Sequence, residues 1–599
     1  MDQVVPIHGL SYKSRPYMEL SGRIVITFDD VLPGEKPLSL DEYLDGISKE
    51  MLIKFSSFIL GFSRNSEFEN PSAFLRMYFS KENKDFANEV FENLSSFAKE
   101  SEYGIATYSF PYIVSSLSFF EYAHDKDYGE TKSFSNPEME IKIFKAYLLL
   151  NKFNTTDRTP ILNESTKHLK GEISKYPVAY IIGLLLNNSD FSNYEIRKVF
   201  VTQTIRAISF FEFLAKTPEA HELLEAFFNE YGISSYQDYI RGLLPIKISV
   251  LYKDKEAHTD IVIPDGEHKM ESIAFLEKFS IPESQLLGDF DFKNLRSTPI
   301  YRVDENTFRL TYPLFVLELI GNGLYFKFKA INDQLPKDEK VTNLYGLKTY
   351  EFSEKYILHT LLKEYYGNRY FQKTGDELDA NYDAAPDYYV RNGKRIFMFE
   401  SKDILINAAV KQSSDFNVID RELSLKLLQN EKGKPKAVLQ LINNVRKILS
   451  GTLEFDSGFN PKNAIVHPIL VLHYRIFNTA GLNKWVNFWF REELAKLSKE
   501  GFDTSNIRPL VLIDIDTLIY NKDVFKHKKL SFEDVLIDYQ DNYIDFSVRG
   551  RKYNSREAAI QAQKNSLIPF GEFLDALVDS KGMRSVPEEF IEKAYSMFD

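Results

Sequence analysis

The chain has no cysteine among its 599 residues. That excludes a disulfide framework and any thiolate-held zinc site. Tryptophan is nearly absent, with 2 residues, and histidine is sparse, with 10. No pair of histidines has metal-ligand spacing. No G-x-x-x-x-G-K-[ST] phosphate loop occurs, so the chain is not a P-loop ATPase. There is no G-x-G-x-x-G after a strand-like run and no nucleophile elbow. Long hydrophobic runs are missing too. The smoothest one, Val178–Leu186, is far short of the roughly 20 apolar residues that span a bilayer. The opening MDQVVPIHGLSYKSRPY lacks the form of a signal peptide. Fixed-period repeats and low-complexity tracts are absent. The expectation is a cytoplasmic protein with no membrane association.

What the chain has is aromatic and acidic, with 49 Phe, 35 Tyr and a net charge of −12. That charge argues against general coating of nucleic acid, but it leaves room for local basic strips. Candidate strips are Lys432, Lys434 and Lys436; Arg446 and Lys447; Lys526, Lys528 and Lys529; and Arg549, Arg551 and Lys552. The length suggests three or four domains of roughly 150 residues. Residues 1–245 read as a mainly helical sensor or adaptor region, with i, i+3, i+4 apolar spacing in segments such as Ala73–Lys99 and Glu195–Ala215. Residues 246–340 read as a mixed α/β linker domain, strand-like over Ile246–Ile263. Residues 341–540 alternate helix and strand, and 541–599 read as a helical C-terminal extension. The fold class expected is multidomain α+β, with a mixed central sheet in the third region.

Chemistry concentrates in AAPDYYVRNGKRIFMFESKD, Ala384–Asp403. Asn392-Gly393 between two aromatic-rich runs predicts a hairpin. A two-residue turn there pairs Arg391 with Lys394 and Asp387 with Met398. Asp387, Met398, Glu400 and Lys402 then share one face, with Glu400 diagonal to Asp387. Converging carboxylates are costly without a cation, and a divalent metal is the usual resolution. Around the hairpin, helical spacing marks Glu351–Tyr366, ended by Gly367, and Pro435–Leu449, ended by Gly451. Ala464–Tyr474 reads as a strand buried on both faces, despite Pro468. Trp485–Leu497 reads as a helix and Pro509–Ile519 as a further buried strand.

This arrangement resembles the PD-(D/E)xK nuclease superfamily, which has the restriction-endonuclease-like fold, over roughly residues 345–520. The letters are Pro386-Asp387 and Glu400-Ser401-Lys402, in an α-β-β-β-α-β order. The resemblance implies an Mg2+ or Mn2+ ion held by Asp387, Glu400 and the Ser401 carbonyl, with Glu354 extending the site from the first helix. It implies that Lys402 orients or deprotonates the attacking water or stabilises the transition state. Gln440 on the second helix would position water or phosphate. Each residue also has a plainer role: a turn aspartate, a strand-end salt bridge for Glu400 and Lys402, a first-turn carboxylate for Glu354, and a wet helix face for Gln440. His467 and His473 read as satisfied core residues.

The implied function is a metal-dependent DNA endonuclease, with RNA left open. It would act as an effector of prokaryotic anti-phage defence or restriction, regulated by its N-terminal region. A protein partner or a separately encoded ATPase is expected, and the reading allows a homo-oligomer. The alternatives are a repair or mobile-element nuclease working with partner proteins, and a non-catalytic binding protein that keeps the fold.

Overall fold

A computed structural model describes residues 23–597 apart from 63–69, 102–103, 127–131, 133, 193, 252–258, 380–384 and 545–554. Ala384, Arg549, Arg551 and Lys552 thus lie outside the described residues. The architecture is mainly helical with a mixed sheet, an α+β protein. β1 (Ile24–Val25) pairs in parallel with β2 (Tyr108–Ser109). A small antiparallel sheet follows, in which β5 (Thr307–Leu310) lies between β3 (Thr259–Val262) and β4 (Ile300–Arg302). Among the described residues no helix is long and apolar enough to cross a membrane.

The main sheet comprises β6 (Phe371–Thr374), β7 (Tyr388–Asn392), β8 (Arg395–Lys402), β9 (Ile465–Leu472) and β10 (Val511–Asp514). Its order is β10-β9-β8-β7-β6, with β6, β7 and β8 antiparallel and β8, β9 and β10 parallel. Helix Leu347–His359 is wound as a π-helix and continues as an α-helix over Thr360–Tyr366, which Gly367 ends at φ +63°. Helix Ala437–Ser450, ended by Gly451 at φ +69°, lies in sequence between β8 and β9.

Three expectations change. The hairpin turn is Gly393-Lys394, because Asn392 pairs with Arg395. Glu533 explains the extra pair: it accepts from Asn392 at 2.9 Å and also holds Arg395. Gly393 alone takes positive φ, +59°, as at the first central position of a II′ turn. Partners therefore move by two residues, and Met398 faces Tyr389 rather than Asp387. A shift of two keeps the faces, and one step beyond Tyr388↔Phe399 sets Asp387 opposite Glu400.

Second, the run Pro509–Ile519 is not one strand. Asp514 accepts the Thr517 N–H at 3.0 Å and caps a helix, Ile515–Tyr520. Third, Ile246–Leu251 is not strand but the end of helix Tyr236–Leu251, which passes through Pro245. Ile246 and Val250 are buried there, so packing overrides propensity.

Pro468 sits inside β9 without conflict. The Ile465 N–H points to β8, at Lys394 O, and the Val466 N–H points to the β10 side, at Asn506 O. Pro468 shares the parity of Val466. Its missing N–H faces the stretch before Val511, where the ladder has not resumed. Side-chain amides serve that stretch instead: Asn487 bonds both main-chain groups of Leu510, and Gln540 donates to Pro509 O.

The sheet separates two cores. Val390, Phe397, Phe399, Val471 and Ile513 share one core with Phe210 and Phe211 of helix Ile196–Ala215. Tyr389, Ile396, Met398 and Leu470 share the other with Leu441, Val445 and Phe490, and with Val178 and Ile182 of helix Tyr176–Leu185. Residues from the first half of the chain thus belong to both cores. Each large apolar side chain fully buried there contributes about 1.5–3 kcal/mol.

Candidate functional site

β8, β9 and β10 are parallel, so their carboxyl ends lie at one edge of the sheet, where α/β folds commonly bind ligands. β8 ends there in Glu400, Ser401 and Lys402. Glu400 is fully buried, and Lys402 and Asp387 are each about a fifth exposed. Lys402 Nζ lies 2.5 Å from Glu400 Oε1 and 3.9 Å from Asp387 Oδ2. Asp387 Oδ2 also accepts the Ser401 N–H at 2.6 Å, which ties the entry of β7 to the end of β8. Burial works against the charge on Lys402, but Glu400, Asp387 and Glu354 outweigh it and hold its pKa above the ordinary lysine value. Glu354 is buried on the π-wound helix and acts within the same field.

Asp387, Glu400, Lys402 and Glu354 are therefore neighbours. Ser401 contributes differently: its hydroxyl faces the opposite side and bonds His473 Nε2 at 3.0 Å. Gln440 is half-buried in the first turn of helix Ala437–Ser450. Among the described residues no hydrogen bond links its side chain to Asp387, Glu400 or Lys402. The one group of three His or carboxylate ligands held within 4.8 Å of one another, among the described residues, is Asp523, His527 and Glu588, not Glu354, Asp387 and Glu400.

Several residues of this edge went unread in the sequence. His359 is buried, and its ring lies 5.3 Å from that of Tyr388. Burial lowers its pKa, though Asp387 works in the other direction. Its Nε2 is buried with no hydrogen-bond partner. The signal was its place five residues after Glu354 on the same helix. Asp403 is buried against Lys348 at 2.5 Å and Ser353 at 2.5 Å. Burial alone would raise the Asp403 pKa, yet Lys348 and its other partners hold it below the ordinary carboxylate value.

His473 and His467 are buried in the core, but His467 is not fully satisfied there, since its Nε2 is buried with no hydrogen-bond partner. Burial pushes them down to about 3 and about 4. His467 Nδ1 meets Gln540 Oε1 at 2.6 Å.

The β9–β10 end of the edge is occupied by the first half of the chain. Arg206 pairs with Asp516 at 3.0 Å and reaches the His473 carbonyl at 3.4 Å. Lys198 pairs with Asp575 at 2.8 Å and bonds Thr517 Oγ1 at 3.0 Å. The β7–β8 end keeps partly exposed polar groups. Of the candidate basic strips, Lys432 and Lys434 are exposed in the loop before helix Ala437–Ser450. Arg446 is committed to Glu500, and Lys528 to the Tyr365 carbonyl.

The donor set suits a hard divalent ion. The carboxylates of Asp387 and Glu400 are oxygen ligands that already share one cationic atom, Lys402 Nζ. No family model, curated protein or solved structure matches this chain.

Proposed function

We propose that the protein is a metal-dependent nuclease that hydrolyses phosphodiester bonds, with DNA as its substrate. The observation that carries this reading is the convergence of Asp387 and Glu400 on one cationic position at the carboxyl edge of parallel strands. Asp387 and Glu400 would hold Mg2+ or Mn2+, with Glu354 adding negative charge. The bound ion would supply hydroxide at neutral pH and offset charge on the scissile phosphate. With the two carboxylates so committed, the Lys402 ammonium serves the phosphate. Gln440 and the exposed Lys432 and Lys434 would contact the nucleic-acid backbone away from the bond cut.

The first half of the chain regulates this site in the same reading. Support comes from a short bonded path: Arg206 to the His473 carbonyl, and the His473 ring to Ser401, between Glu400 and Lys402.

The test incubates the full chain with plasmid and linear DNA in Mg2+, Mn2+ or EDTA, beside Glu400→Gln and Asp387→Asn. Cleavage should need the metal and fall by about 100-fold or more in each variant, the scale of losing one preorganised electrostatic group. Cutting at the wild-type rate by both variants would place the chemistry elsewhere.

A further inference from the structure

The helix Lys522–Lys526 and the last helix, Glu588–Ser596, meet through three potential ligands. Asp523 and His527 are four residues apart, one helical turn, and the His527 N–H still closes that turn on the Asp523 carbonyl at 3.1 Å. Glu588 comes from the other helix. His527 Nε2 lies 3.1 Å from Glu588 Oε2, and the Glu588 N–H donates to Asp523 Oδ2 at 2.7 Å. One ligand atom from each residue lies within 4.8 Å of the others. A second observation points to a ligand. Asp523 is 5% exposed, and its other oxygen, Oδ1, is buried with no hydrogen-bond partner. A buried carboxylate oxygen left without a donor is costly, and a cation relieves it.

We propose that Asp523, His527 and Glu588 form a binding site for a divalent ion of the zinc class, separate from Asp387 and Glu400. The donor set decides the class. One imidazole nitrogen with two carboxylates suits Zn2+, whose bonds to such ligands are about 2.0–2.2 Å, whereas Mg2+ prefers oxygen alone. Three protein ligands leave one position for water. Lys526, 4.0 Å from Glu588, is a cation already nearby, and Asp523 Oδ1 still has no hydrogen-bond partner. The ion would staple the last helix to Lys522–Lys526. Lys522 already bridges Glu589 at 2.9 Å and Glu364 at 3.1 Å, so the staple reinforces an existing join.

The experiment strips the full chain with a chelator and titrates it with Zn2+ by calorimetry and with Co2+ by visible absorption. Wild type, His527→Ala, Glu588→Gln and Glu400→Gln are compared. His527 and Glu588 are exposed enough that their replacement leaves the core alone. Wild type and Glu400→Gln should each bind one tight Zn2+ and give the absorption of low-coordinate Co2+. His527→Ala and Glu588→Gln should bind it about 100-fold more weakly or worse, since loss of even an outer partner costs 10–100-fold. Zn2+ should raise the melting temperature of wild type and not of those two variants. Absence of a tight Zn2+ site in wild type, or equal binding by His527→Ala, overturns the proposal.

Discussion

Two buried charge clusters in this molecule solve the same problem in opposite ways. In one, Asp190, Asp291 and Glu318 meet Arg296, Lys411 and Arg475. Arg296 lies 3.0 Å from Asp190 and 3.2 Å from Asp291, Lys411 lies 2.7 Å from Asp190, and Arg475 holds Glu318. Acids and bases are equal in number and come from both halves of the chain. Burial opposes the charge on Asp190, yet Lys411 and Arg296 hold it well below the ordinary carboxylate value, whereas burial keeps Asp291 above that value despite Arg296 and Lys411. In the other cluster, Asp387, Glu400 and Glu354 converge on Lys402. A one-to-one network leaves nothing for a further cation to do, whereas three acids around one base form a place where a cation can be exchanged. The first joins two parts of the chain, and the second has the composition of a working site.

The contrast breaks if both clusters respond alike to a change of charge and metal. Arg296→Met should lose about 3–5 kcal/mol, because it strands buried carboxylates. Thermal melting should show this equally in Mg2+ and in EDTA, and recovery in Mg2+ would erase the difference between the clusters. Lys402→Met should lose about 3 kcal/mol in EDTA for the same reason. Mg2+ should restore most of that loss by taking the vacated cationic position. Melting that stays low whatever the metal would count against a cation site at Asp387 and Glu400.

Glu121 sharpens the comparison as a third case, a buried acid with no base paired to it among the described residues. Burial, with Asp289 and Asp125 adding repulsion, pushes its pKa from 4.5 to about 9. The unfolded chain releases this proton near pH 4.5 while the folded chain keeps it. Stability is therefore lost as pH rises between those values, by up to about 1.4 kcal/mol per pH unit. Glu121→Gln should flatten that decline and melt higher than wild type at pH 8. Parallel pH curves for the two proteins would show that Glu121 is not protonated in the fold.

Local signals in the sequence reached the elements and missed the ties between them. The hairpin, the helix ended by Gly367 and the helix ended by Gly451 follow from turn and cap chemistry, which acts within a few residues. The face shared by Asp387, Glu400 and Lys402 survived an incorrect turn because strand parity depends only on even shifts. The turn itself was missed because Glu533, far along the chain, clamps Asn392 and Arg395. β10 was overextended because the capping role of Asp514 was hidden in an apolar run. Ile246–Leu251 looked extended because it is rich in β-branched residues, of which Ile246 and Val250 are packed in the helix rather than paired in a sheet. The balanced cluster was beyond reach, since its six residues come from well-separated places. The Asp523–His527 spacing was legible, but Glu588 supplies its meaning from another helix.

Consider last how the main sheet is covered. The rings packed on Phe397 and Phe399 from outside the sheet are those of Tyr366 and Phe532, whereas the first half of the chain meets the sheet at its β9–β10 end, where Arg206 holds Asp516 and the His473 carbonyl and Lys198 bonds Thr517. Cutting the chain at residue 340 would leave the buried Asp516 without Arg206, so a piece beginning there carries a buried charge with its partner removed. The same arrangement makes the sheet a poor candidate for shuffling between proteins. The carboxyl end of β9 and β10 is inherited together with helix Ile196–Ala215, whose Arg206 balances Asp516 there.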